Sequence, residues 1–347
     1  MTDTPASRGF RMPAEWLPHR RTWMTWPCNP LLLKDLGAER AYQAWAGVAN
    51  AIVEFEPVIM VVPPAETARA REYLSEAVET VEQPLGDSWM RDFGPTFVLD
   101  PDGRLGGVDW TFNGWGGRTF PEASADAEIA AFVADMAGAE RFASRLVNEG
   151  GGIHVDGEGT LLLTETVQLN RNRNPSWTRA EIEAEMHGML GTEKAIWLPR
   201  GLIADTAFTG TDGHVDTLAC FIRPGLVVAH GQPDPDHPDY ETAQENIAIL
   251  KASTDAKGRP LEVVVLDPPA EKYIDGEPLS CSYVNFSFVN GGVVLCGFDD
   301  PQDAATVDIF RDLMPDREIV QVPATVIFEG GGGVHCITQQ EPLPEPA

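Results

Sequence analysis

Near the carboxyl end the chain reads Phe328-Glu-Gly-Gly-Gly-Gly-Val-His335-Cys336, a thiol delivered by four consecutive glycines. Such a run gives up side-chain packing and backbone entropy, so it needs a reason. The usual reasons are a turn that no other residue makes, or close approach of backbone to a ligand. A cysteine emerging from that turn is placed as a nucleophile; a buried apolar filler is the competing reading. Three other stretches have the same character. Asp87-Ser-Trp-Met-Arg-Asp-Phe-Gly-Pro95 offers Asp87, Trp89, Arg91 and Asp92. Glu149-Gly-Gly-Gly-Ile-His154-Val-Asp156 offers Glu149, His154 and Asp156, and its first four residues repeat Glu329 to Gly332. Asp212-Gly-His214-Val-Asp216 adds two carboxylates and an imidazole.

If these stretches converge, three chemistries fit them. One is attack by Cys336 with a histidine as general acid and base, the carboxylates holding a cationic substrate. The second is a metal site drawn from His154, His214, His335 and nearby aspartates, although no HExxH or clustered histidine set stands in the chain. The third is a binding surface without catalysis. Taken singly, each acid beside a glycine is an ordinary turn residue.

The elements that must position these residues recur. Apolar periodicity predicts helices over 40–54, 66–78, 125–136, 178–190, 241–252 and 302–313. Strands are predicted at 58–62, 96–99, 107–110, 143–147, 160–164, 195–199, 217–222, 226–230, 261–266, 283–289, 292–297 and 318–328. This gives five rounds of helix, strand, polar turn and strand, the pattern of a repeat architecture. If the rounds close in a ring, the turns meet on its axis. No linker or composition shift divides the chain, so residues 1–347 are expected to form one domain.

Composition narrows the partners. Fifty-three acidic against 25 basic residues leave a net charge of -28, which argues against nucleic acid and suits a small cationic substrate. Five cysteines without CxxC spacing predict reduced thiols, and Cys28, Cys220, Cys281 and Cys296 have apolar contexts that suit structural roles. No signal-peptide h-region and no bilayer-length apolar run occur, so a cytoplasmic protein without membrane association is expected. Oligomeric state, homodimer or higher, is open.

At these residues the chain resembles the agmatine deiminases of the guanidine-modifying (pentein) superfamily. The likeness rests on Pro13-Ala-Glu-Trp-Leu-Pro-His19, Trp23-Met-Thr-Trp-Pro27, Asp87 to Pro95, Glu149-Gly-Gly, Asp156-Gly-Glu-Gly-Thr160, Asn170-Arg-Asn-Arg-Asn-Pro175, Gly213-His-Val-Asp216 and His335-Cys-Ile-Thr-Gln-Gln340. It implies an α/β fold, a five-bladed pseudo-symmetric propeller with its site on the central axis. It also implies a hydrolase without metal or organic cofactor that converts agmatine to N-carbamoylputrescine and ammonia. Cys336 would be the nucleophile, His214 the acid and base, and Asp92 and Asp216 the guanidinium clamp, with Glu149 beside the substrate nitrogens. Trp89, Asp87, Trp115 and Gly331 would line the substrate, and His335 would be scaffold. Gly333 and Thr217 stand where the family commonly has asparagine, which bears on the choice of substrate. Arginine or peptidyl-arginine deimination and amidino transfer are the rivals within the superfamily; a metal-dependent hydrolase or a scaffold lies outside it.

Overall fold

Short apolar runs become buried strands. Val58–Val62, Leu226–His230 and Gly292–Gly297 are buried at every position, as strands covered on both faces must be. The computed structural model describes residues 4–117, 125–206, 210–274 and 276–344. The fold is mixed α/β, with strands gathered into separate small sheets. The first holds His19–Thr25, Val58–Val62 and Glu79–Glu82, and the second Thr96–Leu99, Leu105–Thr111 and Glu140–Val147. The third holds Ile153–Val155, Thr160–Thr164 and Lys194–Leu198, and the fourth Ala219–Arg223, Leu226–His230 and Glu262–Leu266. The fifth holds Ser287–Val289, Gly292–Gly297 and Glu318–Pro323. The last strand, Thr338–Pro342, returns to pair with His19–Thr25, so both ends of the chain build the first sheet.

These five sheets share one topology, an antiparallel pair, then a helical crossover to a parallel strand on the far side, to which the first adds a second parallel strand; a sixth, two-stranded sheet pairs Tyr273–Ile274 with Glu277–Pro278. The crossover helices start where the sequence supplies caps. Thr178 and Glu181 close a capping box on Arg179–Leu190, and Asp300 with Asp303 does so on Pro301–Leu313. Helix Ala38–Ile52 buries Tyr42, Trp45, Val48, Ala49 and Ile52 along one stripe, the spacing its sequence shows.

Several boundaries differ from expectation, each for a local reason. The helix expected through Val78 covers only Thr67–Tyr73; Ser75 then accepts from Ala77 and Val78 backbone N–H groups and starts a turn. The strand expected to reach Phe328 stops at Pro323, which has no N–H for a ladder, and the chain winds into the helix Thr325–Glu329. Only Ser287–Val289 of the strand expected from Tyr283 is a strand. Residues 282–286 are turned instead, with Asn285 N–H donating to Ser282 O.

Candidate active site

The segments that carry one sheet into the next hold the polar turns. Met90–Phe93 lies between the first and second sheets, Gly150–Gly152 between the second and third, and Val215–Thr217 between the third and fourth. Asn285 lies between the fourth and fifth, and residues 330–336 between the fifth and the returning last strand. Hydrogen bonds join these five connections in a closed circuit. Gly151 N–H donates to Asp92 Oδ1 (3.0 Å), and His214 Nε2 meets Glu149 Oε2 (3.3 Å). Asn285 Nδ2 donates to Asp216 O (3.3 Å), while Asn285 Oδ1 accepts from His335 N–H (3.0 Å). Arg91 N–H donates to Cys336 O (3.1 Å) and completes the round.

Cys336 sits inside this circuit, 6 % exposed. Its Sγ receives the Asn285 amide at 3.2 Å and lies 3.5 Å from Asp216 Oδ2. Burial, and then the charges of Asp216 and Asp92, push its thiol well above the ordinary range. The thiol is therefore protonated until a positive charge offsets those carboxylates.

Both ring nitrogens of His214 face acids: Nε2 faces Glu149, and Nδ1 lies 3.7 Å from Asp92 Oδ1. Burial opposes a charge on this imidazole, but Asp92 and Glu149 outweigh it and raise it to about 9. Burial in turn raises Asp92 to about 6, with His214 as the main opposing influence. Asp92 Oδ2 also accepts the Trp115 indole N–H at 2.8 Å. Trp115 adopts φ 52, a left-handed conformation that costs a bulky residue on the order of 1–3 kcal/mol. That strain aims the indole at Asp92 and not at solvent.

Asp216 differs from Asp92. Its burial is outweighed by the hydrogen bond from His335, which holds it below the usual carboxylate range. Its Oδ2 meets His335 Nδ1 at 2.9 Å. Its Oδ1 is buried with no hydrogen-bond partner among the described residues. A buried, ionised oxygen without a donor is costly unless a ligand supplies one. Gly151 keeps the neighbouring space open: a Cβ there would stand 2.6 Å from His214 Nδ1, 2.8 Å from Asp216 Oδ2 and 2.9 Å from Asp92 Oδ1.

The other expected residues stand in different relations to the thiol. Trp89 is buried edge-to-face on Trp45 and abuts Gly332, which packs over Cys336 Sγ. Gly331 is the exposed turn residue at φ 112, so Gly332 and not Gly331 is the glycine against the thiol. Asp87 is buried with its oxygens occupied by Asn29 and Ser88, and burial raises it to about 7. Glu329 does not share the place of Glu149, despite the repeated tetrapeptide: it pairs with Arg40 at the surface. His154 meets Cys220 Sγ at 3.2 Å, and Asp156 accepts from the Glu158 and Thr160 N–H groups of its own turn. Arg118, the end of the stretch from Asn113, lies outside the described residues.

Three residues of the site escaped the sequence reading. Arg173 donates Nε to both oxygens of Glu149 at 2.9 Å and Nη1 to Asp212 at 2.8 Å, all of it buried. Its place in Asn170-Arg-Asn-Arg-Asn-Pro175 was the available signal. Glu149 is held below the usual range against its burial, first by Arg173 and then by His214. Asn285 fills the one connection for which no candidate stood out, because it was assigned to a strand. Glu15, in the amino-terminal arm, meets His335 Nε2 at 3.0 Å. Among the described residues no group of three or more His, Cys, Asp or Glu side chains is disposed to hold a metal ion. No described helix is long and apolar enough to cross a membrane.

The whole length of this chain is similar to known proteins. Residues 11–342 match the family model of the Porphyromonas-type peptidyl-arginine deiminases. A Streptomyces avermitilis protein that provisionally bears the name agmatine deiminase is 57% identical over 342 residues, 98% of this chain and 99% of that one. The agmatine deiminase of Stutzerimonas stutzeri is 42% identical over 367 residues, 99% of this chain and 98% of that one. Among solved structures, the agmatine deiminase of Enterococcus faecalis superposes with a TM-score of 0.91 at 36% identity, over 98% of both chains.

Proposed function

The chain belongs to the Porphyromonas-type peptidyl-arginine deiminase family, and we propose that it hydrolyses the guanidinium group of agmatine to N-carbamoylputrescine and ammonia. The observation that carries the reading is the pair of buried carboxylates, Asp92 and Asp216, flanking one buried thiol, with Asp216 Oδ1 left without a donor. A planar guanidinium presents paired N–H groups that match such acceptors through charge-assisted bonds. Relatives named agmatine deiminase support the choice of agmatine. Free arginine is the second reading, but its carboxylate would need a base, and among the described residues the two buried arginines at the site, Arg91 and Arg173, are already tied to Glu15, Glu149 and Asp212.

In this reading the fold is one domain in which the five sheets of shared topology are the blades of a propeller. The circuit of hydrogen bonds through the five connections supports it, and the site lies on the axis.

The steps follow from the charges. The guanidinium docks between Asp92 and Asp216 and offsets the two charges that keep Cys336 protonated, so that the thiol gives its proton to solvent. The thiolate, held by the Asn285 amide, attacks the guanidinium carbon. His214, a cation at neutral pH, gives its proton to the departing ammonia. A thiouronium remains on sulfur. Water, deprotonated by the now neutral His214, adds to it; the C–S bond then breaks, and the proton left on the added oxygen passes to the departing sulfur, which releases the urea product and restores the thiol. Glu149, fixed by Arg173, orients His214 throughout.

An ammonia-release screen over agmatine, arginine, methylated arginines and short arginine peptides tests the substrate. Agmatine should give the highest kcat/KM, unaltered by EDTA; faster turnover of free arginine would overturn the assignment.

A further inference from the structure

Glu15 comes from Pro13-Ala-Glu-Trp, a segment to which the proposed chemistry gives no task. The arm is pinned on both sides of it. Met12 N–H donates to Leu190 O at 2.8 Å, and the His19 ring bridges Glu15 O (2.8 Å) and Glu56 (3.1 Å). The side chain is 3 % exposed, yet it carries a carboxylate into the protein, which requires compensating charge.

His335 supplies it. Its Nε2 meets Glu15 Oε1 and Oε2 at 3.0 and 3.1 Å, and its Nδ1 meets Asp216 Oδ2 at 2.9 Å. A neutral imidazole has one N–H and one lone pair, so it would aim that lone pair at one of the two carboxylates. Only the imidazolium donates to both. The remaining charged or titratable groups around the ring are Arg91, 3.3 Å from Glu15 Oε1, and His154, whose ring lies 6.4 Å away. Burial and then Arg91 oppose a charge on His335, but Glu15 and Asp216 outweigh them and hold the ring above its ordinary range.

We propose that Glu15 is a positioning residue for the guanidinium site, acting through His335, whose two ring nitrogens hold Glu15 and Asp216 at once and fix Asp216 with one oxygen bound and the other turned free. The relay couples the arm to the clamp across 320 residues of sequence. It orients Asp216 Oδ1 without using it, and keeps the clamp ionised before substrate arrives. His335 is thus more than scaffold, and its neighbour Cys336 is not its partner.

The inference rests on reading the site as a guanidinium hydrolase, and its test has an arm that needs no turnover. In the full-length protein carrying 13C,15N-histidine, the His335 ring is identified by the signal lost in His335→Gln. It should remain an imidazolium at pH 8, well above the ordinary histidine range near ~6.5. Glu15→Gln keeps the volume and removes the charge. The variant ring should titrate at least about one unit lower. At pH 8 the variant should show KM for agmatine raised ~10-fold or more with kcat within about threefold, and KM should recover as the pH is lowered to ~7. Recovery on acidification is something a merely structural role would not produce. A neutral His335 in the wild type at pH 8 overturns the proposal, even if Glu15→Gln does not fold. So does a variant with wild-type KM and pH profile. Failure of the wild type to release ammonia from agmatine would instead remove the functional reading, while the ring's protonation state still decided the relay.

Discussion

Cys336 Sγ lies 3.5 Å from Asp216 Oδ2, so the proposed nucleophile sits against a negative charge that disfavours its own ionised form. A clamp for a cation and a reactive thiolate are thus opposed until the cation arrives. This makes Asp216→Asn a variant with effects of opposite sign. Agmatine turnover should fall ~100-fold or more as one charge-assisted contact is lost. Alkylation of Cys336 by iodoacetamide at pH 8 should quicken, by ~3-fold for each unit the thiol falls, since greater thiolate content outweighs the lower nucleophilicity. Slower alkylation in the variant would contradict the electrostatic account.

In the proposed mechanism the acid limb of activity belongs to Asp92, raised by burial to about 6, and the basic limb to His214, raised by its carboxylate neighbours to about 9. Asp92 must be ionised to hold a guanidinium, and that form is lost as pH falls through about 6. His214 must be protonated to release ammonia, and that form is lost as pH rises through about 9. The pH profile of kcat/KM should be bell-shaped with its plateau between these values. His214→Gln should lower kcat by ~10²–10⁴-fold.

Gly151→Ala tests whether the space between His214, Asp92 and Asp216 is needed empty. The added Cβ would stand under 3.0 Å from all three side chains. Turnover should fall at least ~100-fold while the protein stays folded, because the clash lies among side chains and not between sheets. A variant with near wild-type kcat/KM would show that the substrate does not use this space.

Arg173→Gln leaves Glu149 buried without its strongest partner and removes the arginine contact to Asp212. Breaking a buried ion pair from one side costs about 3–5 kcal/mol. Urea unfolding should register a loss of that order, together with lower kcat as His214 loses an oriented neighbour. A change under about 1 kcal/mol would mean that Arg173 is a surface-like contact.

Much of this arrangement was legible in the residue order. Strands such as Val58–Val62 and Leu226–His230 announce themselves as apolar runs, and the capping residue Thr178 marks its helix start. Cys336, His214, Asp92, Asp216 and Glu149 stand out because polar turns that carry acids and glycines recur in four of the five rounds. What was not legible depends on contacts remote in sequence. Glu15 reaches His335 across 320 positions, Asn285 reaches Cys336 across 51, and Arg173 reaches Glu149 across 24. No local pattern separates such residues from an ordinary arm, strand or loop. Local likeness also misled: Glu329 repeats the context of Glu149, yet the helix Thr325–Glu329 that follows Pro323 turns it toward Arg40.

The central claim is a covalent bond between Cys336 and the guanidinium carbon of agmatine. Acid-quenching the enzyme during turnover and weighing the intact protein tests it most directly. The account predicts a species heavier by agmatine less ammonia, mapped by peptide analysis to Cys336 and absent from Cys336→Ala, which releases no ammonia. Ammonia release that persists in Cys336→Ala, or turnover with an adduct on another residue, would contradict it.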